Sequence, residues 1–248
     1  MMNIAQYLDS TYLKTPAQSG ISNEETLQKD KDLAQEAIDN EILAVMIRPD
    51  YVPEIKKYIQ ERNSGVIVGT VIGFHEGTYS VDEKLAEASK AIQGGADELD
   101  FVINYNAYLK GNLELVKEEF VKCTQLCIEN QKVAKWIIEI AALTDEQIAD
   151  LTKKISNWAE ENFSENDLPN IFVKSSTGFY ETTGGKPNGA TFEGIKIMLD
   201  NAGKLPVKAA GGVRTPEDAE KMINLGVKRI GTSSALGLIK NQSTSEGY

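Results

Sequence analysis

Eight short runs rich in Val, Ile and Phe alternate along this chain with longer amphipathic segments, and this alternation restricts its fold more than any other feature. Such runs predict strands, and helices between successive strands predict a parallel sheet. The predicted strands are residues 7–9, 43–47, 66–72, 98–103, 134–140, 171–174, 207–209 and 229–231. The predicted helices are residues 23–40, 53–61, 81–94, 113–129, 145–162, 192–199 and 216–225. This order favours an α/β fold, a closed (β/α)8 or TIM barrel with N-terminal and inter-strand helices.

The length of the chain, 248 residues, suits one such barrel. No low-complexity stretch, internal repeat or shift in composition divides the sequence. We therefore expect a single domain over residues 1–248, in which residues 241–248 form a flexible C-terminal tail. A glycine-rich segment, residues 184–189, is expected to be a mobile loop at the mouth of the barrel.

The formal net charge of the chain is −11 at pH 7. This acidity disfavours a nucleic acid or an anionic membrane as the partner, although a local basic pocket can still hold a small anion. The sequence has no run of about 18 apolar residues and does not begin with a basic region followed by an apolar core. We therefore expect a cytoplasmic protein that acts on a small molecule.

Two lysines, Lys174 and Lys208, stand at the ends of short apolar runs that are predicted to be buried strands. Their separation of 34 residues is about the length of one strand-helix-strand unit, so they can lie on neighbouring parallel strands. A single lysine in this position would more often extend its ammonium group from the strand end into solvent. Two of them at one end of a barrel predict a site in which one amine controls the charge of the other.

Asp100 is a third candidate, because it lies within the predicted fourth strand. A second ammonium group and desolvation are two of the few ways to lower the pKa of a lysine far enough for nucleophilic attack. The neutral amine can then form an imine with a carbonyl compound, while Asp100 moves protons. The three residues thus favour Schiff-base chemistry that needs neither a metal nor a cofactor, although Asp100 can also be a structural ion-pair partner.

Two glycine-rich turns follow the seventh and eighth predicted strands, at residues 211–216 and 231–235. Barrels of this kind often bind phosphate with these two loops, because glycine allows backbone N–H groups to approach an anion closely. Taken without their position, both segments would be interpreted as ordinary turns. Their position predicts a phosphate site.

Five segments match, in order, the motifs of one enzyme family. They are residues 8–14 (LDSTYLK), 94–104 (GGADELDFVIN), 172–179 (FVKSSTGF), 207–214 (VKAAGGVR) and 231–234 (GTSS). They span nearly the whole chain, so together they are far more specific than any one of them. The chain resembles the deoxyribose-phosphate aldolases, class I enzymes that use a lysine and fold as (β/α)8 barrels.

The resemblance implies reversible cleavage of 2-deoxy-D-ribose 5-phosphate to acetaldehyde and D-glyceraldehyde 3-phosphate, in deoxynucleoside catabolism. It implies that Lys174 forms the imine, that Lys208 perturbs it and that Asp100 relays protons. It also implies that the terminal Tyr248 reaches the site from the tail, and that the enzyme forms a homodimer. The residues implied to bind the sugar are Asp9, Thr11 and Thr177. Those implied to bind the phosphate are Gly178, Gly211, Gly212, Arg214, Gly231, Ser233 and Ser234.

The chain also departs from the family pattern. His75 stands where a proline is usual and is expected to be part of a loop rather than an acid-base catalyst. Met46 replaces a cysteine and Phe179 a lysine that some relatives carry, and the connection at residues 180–189 is longer than usual. Two alternatives therefore stay open: a related lysine-dependent aldolase with another aldehyde acceptor, and a non-catalytic barrel that binds sugar phosphates.

Overall fold

A computed structural model describes residues 3–240 and confirms the closed (β/α)8 barrel. The eight strands are parallel and follow the order of the chain, and the last strand pairs with the first. They are β1 Leu8–Thr11, β2 Ala44–Ile47, β3 Ile67–Ile72, β4 Glu98–Val102, β5 Val133–Ile137, β6 Ile171–Lys174, β7 Val207–Ala210 and β8 Arg229–Thr232.

The α-helices of the described residues surround this barrel. They are α1 Pro16–Ser19, α2 Asn23–Asp39, α3 Val52–Gln60, α4 Val81–Gln93, α5 Tyr105–Leu109, α6 Leu113–Glu129, α7 Asp145–Asn162, α8 Phe192–Asn201, α9 Pro216–Leu225 and α10 Ala235–Ile239. Short 3-10 turns occur at Ile4–Tyr7, Pro49–Tyr51, Ile140–Ala142 and Leu168–Asn170. Among residues 3–240, no helix combines the length and the apolar character that crossing a membrane requires.

Side-chain caps fix where several of the helices begin. Ser22, Ser80 and Thr144 each accept a hydrogen bond from a backbone N–H three residues later, and the Glu or Gln at that position bonds back to the capping residue. The side chain of Thr215 accepts a hydrogen bond from the backbone N–H of Asp218 at the start of α9, and Pro216 occupies the first turn of that helix. These capping patterns satisfy backbone donors that a helix leaves free, so the helix starts can be predicted from the sequence.

The fifth strand is shorter than the predicted residues 134–140, because the chain turns sharply after Ile137. Glu139 has a left-handed backbone, with φ of +56°, and a 3-10 turn begins at the next residue. Helices α1, α5 and α10 were not predicted from the sequence. These helices have only four or five residues, too few to display a helical period.

Aromatic residues show which strand positions face the helices. The rings of Phe101 on β4 and Trp136 on β5 stack with their centres 4.9 Å apart, and Trp136 Nε1 donates to Thr124 of α6 at 2.9 Å. Since side chains alternate between the two faces of a strand, the preceding residues, Asp100 and Lys135, face the inside of the barrel. The register of the sheet places these two residues opposite each other.

Candidate active site

Lys174 and Lys208 meet inside the barrel, as predicted. They are direct register partners on β6 and β7. Each ammonium nitrogen lies 2.7 Å from Oδ2 of Asp100 on β4, so both lysines share one carboxylate oxygen. The side chains of Lys208 and Asp100 are fully buried, and that of Lys174 is 5% exposed. The three predicted catalytic candidates therefore form one cluster.

A fourth residue of this cluster, Lys135, was not predicted from the sequence. Its Nζ lies 2.8 Å from Oδ1 of Asp100, the oxygen that the other two lysines do not use. Lys135 is fully buried in an apolar strand, and it has the same sequence signal as Lys174, a cation inside a run of apolar residues. It fixes the orientation of the Asp100 carboxylate from the side opposite the predicted nucleophile.

The pKa of Lys174 is lowered to about 8, chiefly by burial and also by the nearby charge of Lys208, against the opposing effect of Asp100. At pH 7 a lysine with this pKa is neutral in about one molecule in ten, compared with about one in several thousand for an unshifted lysine. Lys174 is thus available as a nucleophile at neutral pH.

Lys208 and Asp100 stay charged in this site. Burial alone would lower the pKa of Lys208, but the carboxylates of Asp100 and Asp9 raise it above its usual value. Burial alone would raise the pKa of Asp100, but three ammonium groups, with Lys135 contributing most, hold it well below its usual range. The structure therefore distinguishes the two lysines electrostatically, because only one of them has a lowered pKa.

Asp9 and Thr11, which the resemblance implies to bind the sugar, lie on β1 and are both buried. Asp9 Oδ1 accepts a hydrogen bond from Arg229 Nε at 2.7 Å, and its Oδ2 lies 2.5 Å from Lys208 Nζ. The hydroxyl of Thr11 donates to the backbone carbonyl of Asp9 at 2.9 Å. In this structure both residues interact with neighbours in the barrel, so their contact with a sugar stays a prediction.

Thr177 follows β6 and forms a pair with Glu139, a residue that the sequence did not single out. The hydroxyl and the backbone N–H of Thr177 both donate to Glu139 Oε2, the latter at 3.1 Å. Glu139 is fully buried, and within residues 3–240 its Oε1 has no hydrogen-bond partner. Burial raises the pKa of Glu139 to about 7. A buried carboxyl group of this kind, on a left-handed backbone at a strand end, is typical of functional sites.

The two glycine-rich turns lie beside each other at the ends of β7 and β8. The N–H of Gly211 donates to the carbonyl of Gly231 at 3.1 Å. Gly211 and Gly212 have positive φ angles of 70° and 76°, which a residue with a Cβ rarely adopts. Residues 189–190 pack against this turn, since a Cβ on Gly189 would lie 2.6 Å from the carbonyl carbon of Gly211.

The other residues implied to bind phosphate surround these turns. Gly178 and Gly231 are buried, Ser234 is half-buried, and Arg214 and Ser233 are exposed. Gly178 has a φ of +81°, and its carbonyl accepts a hydrogen bond from Asn188 Nδ2 at 2.9 Å. The fold thus brings backbone from β6, β7 and β8 to the same end of the barrel, where an anion can be held by N–H groups. Binding of phosphate here stays a prediction.

A small apolar cluster, which we call the apolar wall, borders the charged cluster. It consists of Leu13, Met46, Val71, Phe74 and Phe179. Val71 is the register partner of Asp100, and Phe74 and Phe179 contact each other edge to face at 5.1 Å. Apolar side chains beside an imine limit the access of water to it.

His75 lies in the turn after β3, and its ring stacks on Phe179 with the ring centres 5.6 Å apart. This position agrees with the predicted loop role. A cavity of about 520 Å³ opens at this mouth and is lined by Lys14, Gln18, residues 178–182 and Asn188. The long connection after β6 therefore forms one side of the entrance.

Two further expectations concern the chemistry of the site. Tyr248 and the predicted tail, residues 241–248, lie outside the described residues. Within residues 3–240, no three His, Cys, Asp or Glu side chains are grouped so that they could hold a metal ion.

Comparison with known proteins gives consistent results. Residues 4–240 match the model of a family described as DeoC/LacD family aldolase. The chain is 37% identical over 238 residues to a deoxyribose-phosphate aldolase of Caldicellulosiruptor saccharolyticus, which covers 95% of this chain and 96% of the relative. It is 36% identical to the corresponding enzyme of Deinococcus radiodurans over the full length of both.

A solved structure of the tetrameric deoxyribose-phosphate aldolase from Aeropyrum pernix superposes with a TM-score of 0.76 at 28% identity. The superposition covers 96% of this chain and 89% of that one. The family match extends over the barrel strands that carry Asp100, Lys174 and Lys208. This chain belongs to the DeoC/LacD family of aldolases.

Proposed function

We propose that this protein catalyses the reversible cleavage of 2-deoxy-D-ribose 5-phosphate to acetaldehyde and D-glyceraldehyde 3-phosphate, in deoxynucleoside catabolism. The observation that carries the proposal is the state of Lys174, a buried lysine whose pKa is lowered to about 8 beside a lysine that stays charged. The similarity to curated deoxyribose-phosphate aldolases over nearly the whole chain supports the choice of substrate.

The neutral Nζ of Lys174 attacks the aldehyde carbon of the open-chain sugar and gives a carbinolamine. Loss of water then gives a protonated imine, which serves as an electron sink. The C3 hydroxyl loses its proton, the C2–C3 bond breaks, and its electron pair moves into an enamine on Lys174 while glyceraldehyde 3-phosphate leaves. Protonation at C2 and hydrolysis release acetaldehyde and regenerate the amine.

Lys208 and Asp100 assist proton transfer during this reaction. Lys208 keeps its proton and can donate a hydrogen bond to the oxygen that leaves the carbinolamine. Asp100, held between three cations, relays protons through its Oδ2, which both lysines contact. Its lowered pKa makes it a weak base while Lys174 is charged, so its share in proton transfer depends on the loss of that charge.

The phosphate of the substrate is proposed to bind the two glycine-rich turns, with Gly178 on the third side. Backbone N–H groups, the N-terminus of α9 and the hydroxyls of Ser233 and Ser234 would hold it. Asp9, Thr11 and Thr177 would line the sugar. This arrangement holds the far end of the substrate while Lys174 holds the aldehyde end.

Borohydride trapping tests the proposal directly. The protein is incubated with deoxyribose 5-phosphate and sodium borohydride, digested and analysed by mass spectrometry, and we expect a reduced adduct on Lys174. The Lys174→Leu variant should give no adduct and no cleavage. Lys196→Leu, which removes an exposed lysine of α8, should behave as the parent protein. An adduct on another lysine, or full turnover by Lys174→Leu, would contradict the assignment.

A second candidate function is a lysine-dependent aldolase with a different aldehyde acceptor, and one observation favours it. Phe179 belongs to the apolar wall and occupies a position at which some relatives carry a lysine. Comparing kcat/KM for phosphorylated and unphosphorylated acceptors in the synthetic direction distinguishes the two. A preference for the unphosphorylated acceptors would replace deoxyribose 5-phosphate as the substrate but keep the imine.

We also propose that the protein is cytoplasmic and forms at least a homodimer. The solved relative from Aeropyrum pernix is a tetramer, which supports an assembly of this fold without fixing its size here. Light scattering on the purified protein measures the assembly, and a monomeric mass at micromolar concentration would contradict it.

A further inference from the structure

Six charged side chains form a closed ring inside the barrel, in which each carboxylate is followed by a cation. In order around the ring they are Asp100, Lys135, Glu98, Arg229, Asp9 and Lys208. They come from β1, β4, β5, β7 and β8, so the ring exists only because the barrel closes. We call this set the charge ring.

One half of the charge ring runs through Glu98. Lys135 Nζ lies 2.8 Å from Asp100 Oδ1 and 2.6 Å from Glu98 Oε2. Arg229 then binds Glu98 with two parallel bonds, from Nη1 at 2.9 Å and from Nη2 at 2.7 Å. A two-bond contact of this type fixes both position and orientation of the two groups.

The other half runs through Asp9. Arg229 Nε donates to Asp9 Oδ1 at 2.7 Å, and Asp9 Oδ2 lies 2.5 Å from Lys208 Nζ. Lys208 closes the ring with its contact of 2.7 Å to Asp100 Oδ2. All six residues are buried, the most exposed being Arg229 at 6%. Water therefore screens these charges very little.

The charge ring is neutral, because its three carboxylates balance its three cations. Lys174 is a seventh charge that lies outside it. Within residues 3–240, the carboxylate that Lys174 contacts is that of Asp100, through an oxygen already bound to Lys208. Lys174 is thus the surplus cation of the site, and its protonated form lacks a carboxylate of its own.

We propose that Glu98 and Arg229 are positioning residues of the aldolase, which close the charge ring and, in opposite directions, set how readily Lys174 loses its proton. Neither residue contacts the lysine on which it acts. Glu98 acts through Lys135, which it contacts, and Arg229 acts through Asp9, the carboxylate that Lys208 also contacts. This inference rests on the imine function proposed for Lys174 and adds two residues that control the protonation of that lysine.

The direction of the expected effects follows from charge. Replacing Arg229 with Met leaves the ring with a net negative charge, which favours protonated Lys174 and raises its pKa. Replacing Glu98 with Gln leaves the ring with a net positive charge, which lowers the pKa of Lys174. The double variant is neutral again. If Glu98 and Arg229 had only structural roles, both single variants would be less stable. The pKa of Lys174 would then not shift in opposite directions.

Four other charged groups also affect the titration of Lys174. They are Asp100 from β4, Lys135 from β5, Glu139 from the turn after β5, and Lys208 from β7. Glu139 has a pKa of about 7 and so titrates in the same range. The measurements are therefore repeated in a Glu139→Gln background, in which the opposite shifts should persist.

The titration of Lys174 is measured by competitive acetylation with acetic anhydride from pH 6 to pH 10, with mass spectrometry of the peptide that contains it. No sugar is present, so the result does not depend on whether the chain cleaves deoxyribose 5-phosphate. We expect the midpoint to move up by about half a pH unit or more in Arg229→Met and down by a similar amount in Glu98→Gln. The double variant should return to within about 0.3 units of the parent.

Two controls test the specificity of the effect. Arg229→Lys keeps the charge of the ring and should keep the midpoint close to that of the parent. Lys56→Met removes a cation that is paired with Asp97 outside the ring and should leave the midpoint unchanged. Circular dichroism and thermal unfolding establish that each variant is folded before its titration is measured.

Buried ion pairs tolerate the loss of one partner poorly, so a second set of variants is needed. If Arg229→Met or Glu98→Gln does not fold, Arg229→Gln and Asp9→Asn replace them, with expected shifts up and down respectively. Opposite shifts in folded variants support the proposal. Unchanged midpoints, or shifts in the same direction, would overturn it. If the midpoint of Lys174 shifts as expected but borohydride traps no adduct, the aldolase function is rejected and the electrostatic effect remains.

Discussion

Lys174 and Lys208 are direct register partners on neighbouring strands, and both donate to Oδ2 of Asp100 at 2.7 Å. Two ammonium groups on one oxygen are unfavourable unless one of them loses its proton. Lys208 is fully buried and has Asp9 as a further carboxylate partner, whereas the side chain of Lys174 is 5% exposed. This difference between the two lysines therefore determines which amine becomes the nucleophile.

The first prediction concerns Lys208→Met, which removes the neighbouring positive charge. The pKa of Lys174 should rise from about 8 toward that of an ordinary lysine. Because only the neutral amine attacks, the acidic limb of the pH profile of kcat/KM should move to higher pH. Each unit of that rise lowers the neutral fraction of Lys174 at pH 7 about tenfold, so we expect a loss of about tenfold or more.

The measurement is kcat/KM from pH 6 to pH 10, with Lys196→Met as a control. Lys196 is an exposed lysine on α8 that pairs with Asp200, so its removal should change neither the rate nor the profile. A Lys208→Met profile that coincides with that of the parent protein would contradict the electrostatic role of Lys208.

The second prediction concerns a buried ion pair outside the barrel. Lys84 Nζ lies 2.6 Å from Glu119 Oε2 and 2.8 Å from the carbonyl of Val102, and Glu119 also accepts the N–H of Asn104. Lys84→Met should lower the free energy of unfolding by about 3–5 kcal/mol, since it leaves a buried carboxylate without its cation. Denaturant unfolding at pH 8 measures the loss.

The double variant Lys84→Met/Glu119→Gln provides the comparison for that pair. Glutamine keeps an acceptor for Asn104 but carries no charge, so most of the stability should return. Burial already raises the pKa of Glu119. The single variant should therefore be less destabilised at pH 5 than at pH 8, because Glu119 is protonated more readily at the lower pH. Equal losses at both pH values would mean that charge is not the cause.

The third prediction concerns Asp30 on α2. This side chain is fully buried, and within residues 3–240 neither carboxylate oxygen has a hydrogen-bond partner. Burial raises the pKa of Asp30 to about 8 from 3.8. Between these two values the unfolded state releases a proton that the folded state keeps, so the parent protein should lose stability as the pH rises from 4 to 8.

Asp30→Asn removes this dependence. The free energy of unfolding of the variant minus that of the parent should increase with pH and reach on the order of a few kcal/mol at pH 8. Chemical unfolding at pH 5, 6.5 and 8 measures the trend. Asp32→Asn, on an exposed position of the same helix, is the matched control. A stability difference that does not vary with pH would contradict the assignment of a buried, protonated Asp30.

The fourth prediction tests the glycine-rich turn with Gly189→Ala. The new Cβ would lie 2.6 Å from the carbonyl carbon of Gly211 and 2.8 Å from the nitrogen of Gly212, and these backbone atoms cannot move without displacing the turn. We expect KM for deoxyribose 5-phosphate to rise about tenfold or more, which corresponds to about 1.4 kcal/mol of lost binding.

Cleavage of unphosphorylated 2-deoxyribose should change much less, because it makes no use of the phosphate site. Gly65→Ala is the control, since no atom lies within 4 Å of the Cβ that it adds. Equal effects of Gly189→Ala on both sugars would indicate that the turn does not hold the phosphate.

The strands and the long helices could be predicted because their signals are local. Each strand is a short apolar run, and each long helix has an apolar period and often a capping residue at its start. The short helices were missed because four or five residues show no helical period. The early end of β5 was missed because Glu139 has a left-handed backbone, which a sequence predicts for glycine or asparagine but not for glutamate.

The site could be predicted in part for the same reason. Lys174, Lys208 and Asp100 were identified from strand composition, and the resemblance supplied the substrate. Lys135 has the same local signal but was overlooked, and nothing local distinguishes Glu98 and Arg229 from outward-facing charges at strand ends. Arg229 and its partner Asp9 are 220 positions apart in the chain.

The sequence by itself therefore determined the order of strands and helices, the barrel and the identity of the three residues at its centre. Only the tertiary structure explains why the pKa is lowered for Lys174 and raised for Lys208. The reason is that the pKa of Lys174 depends on burial and on the charges of Asp100, Lys208 and Lys135, which lie on three other strands and come together only in the folded barrel.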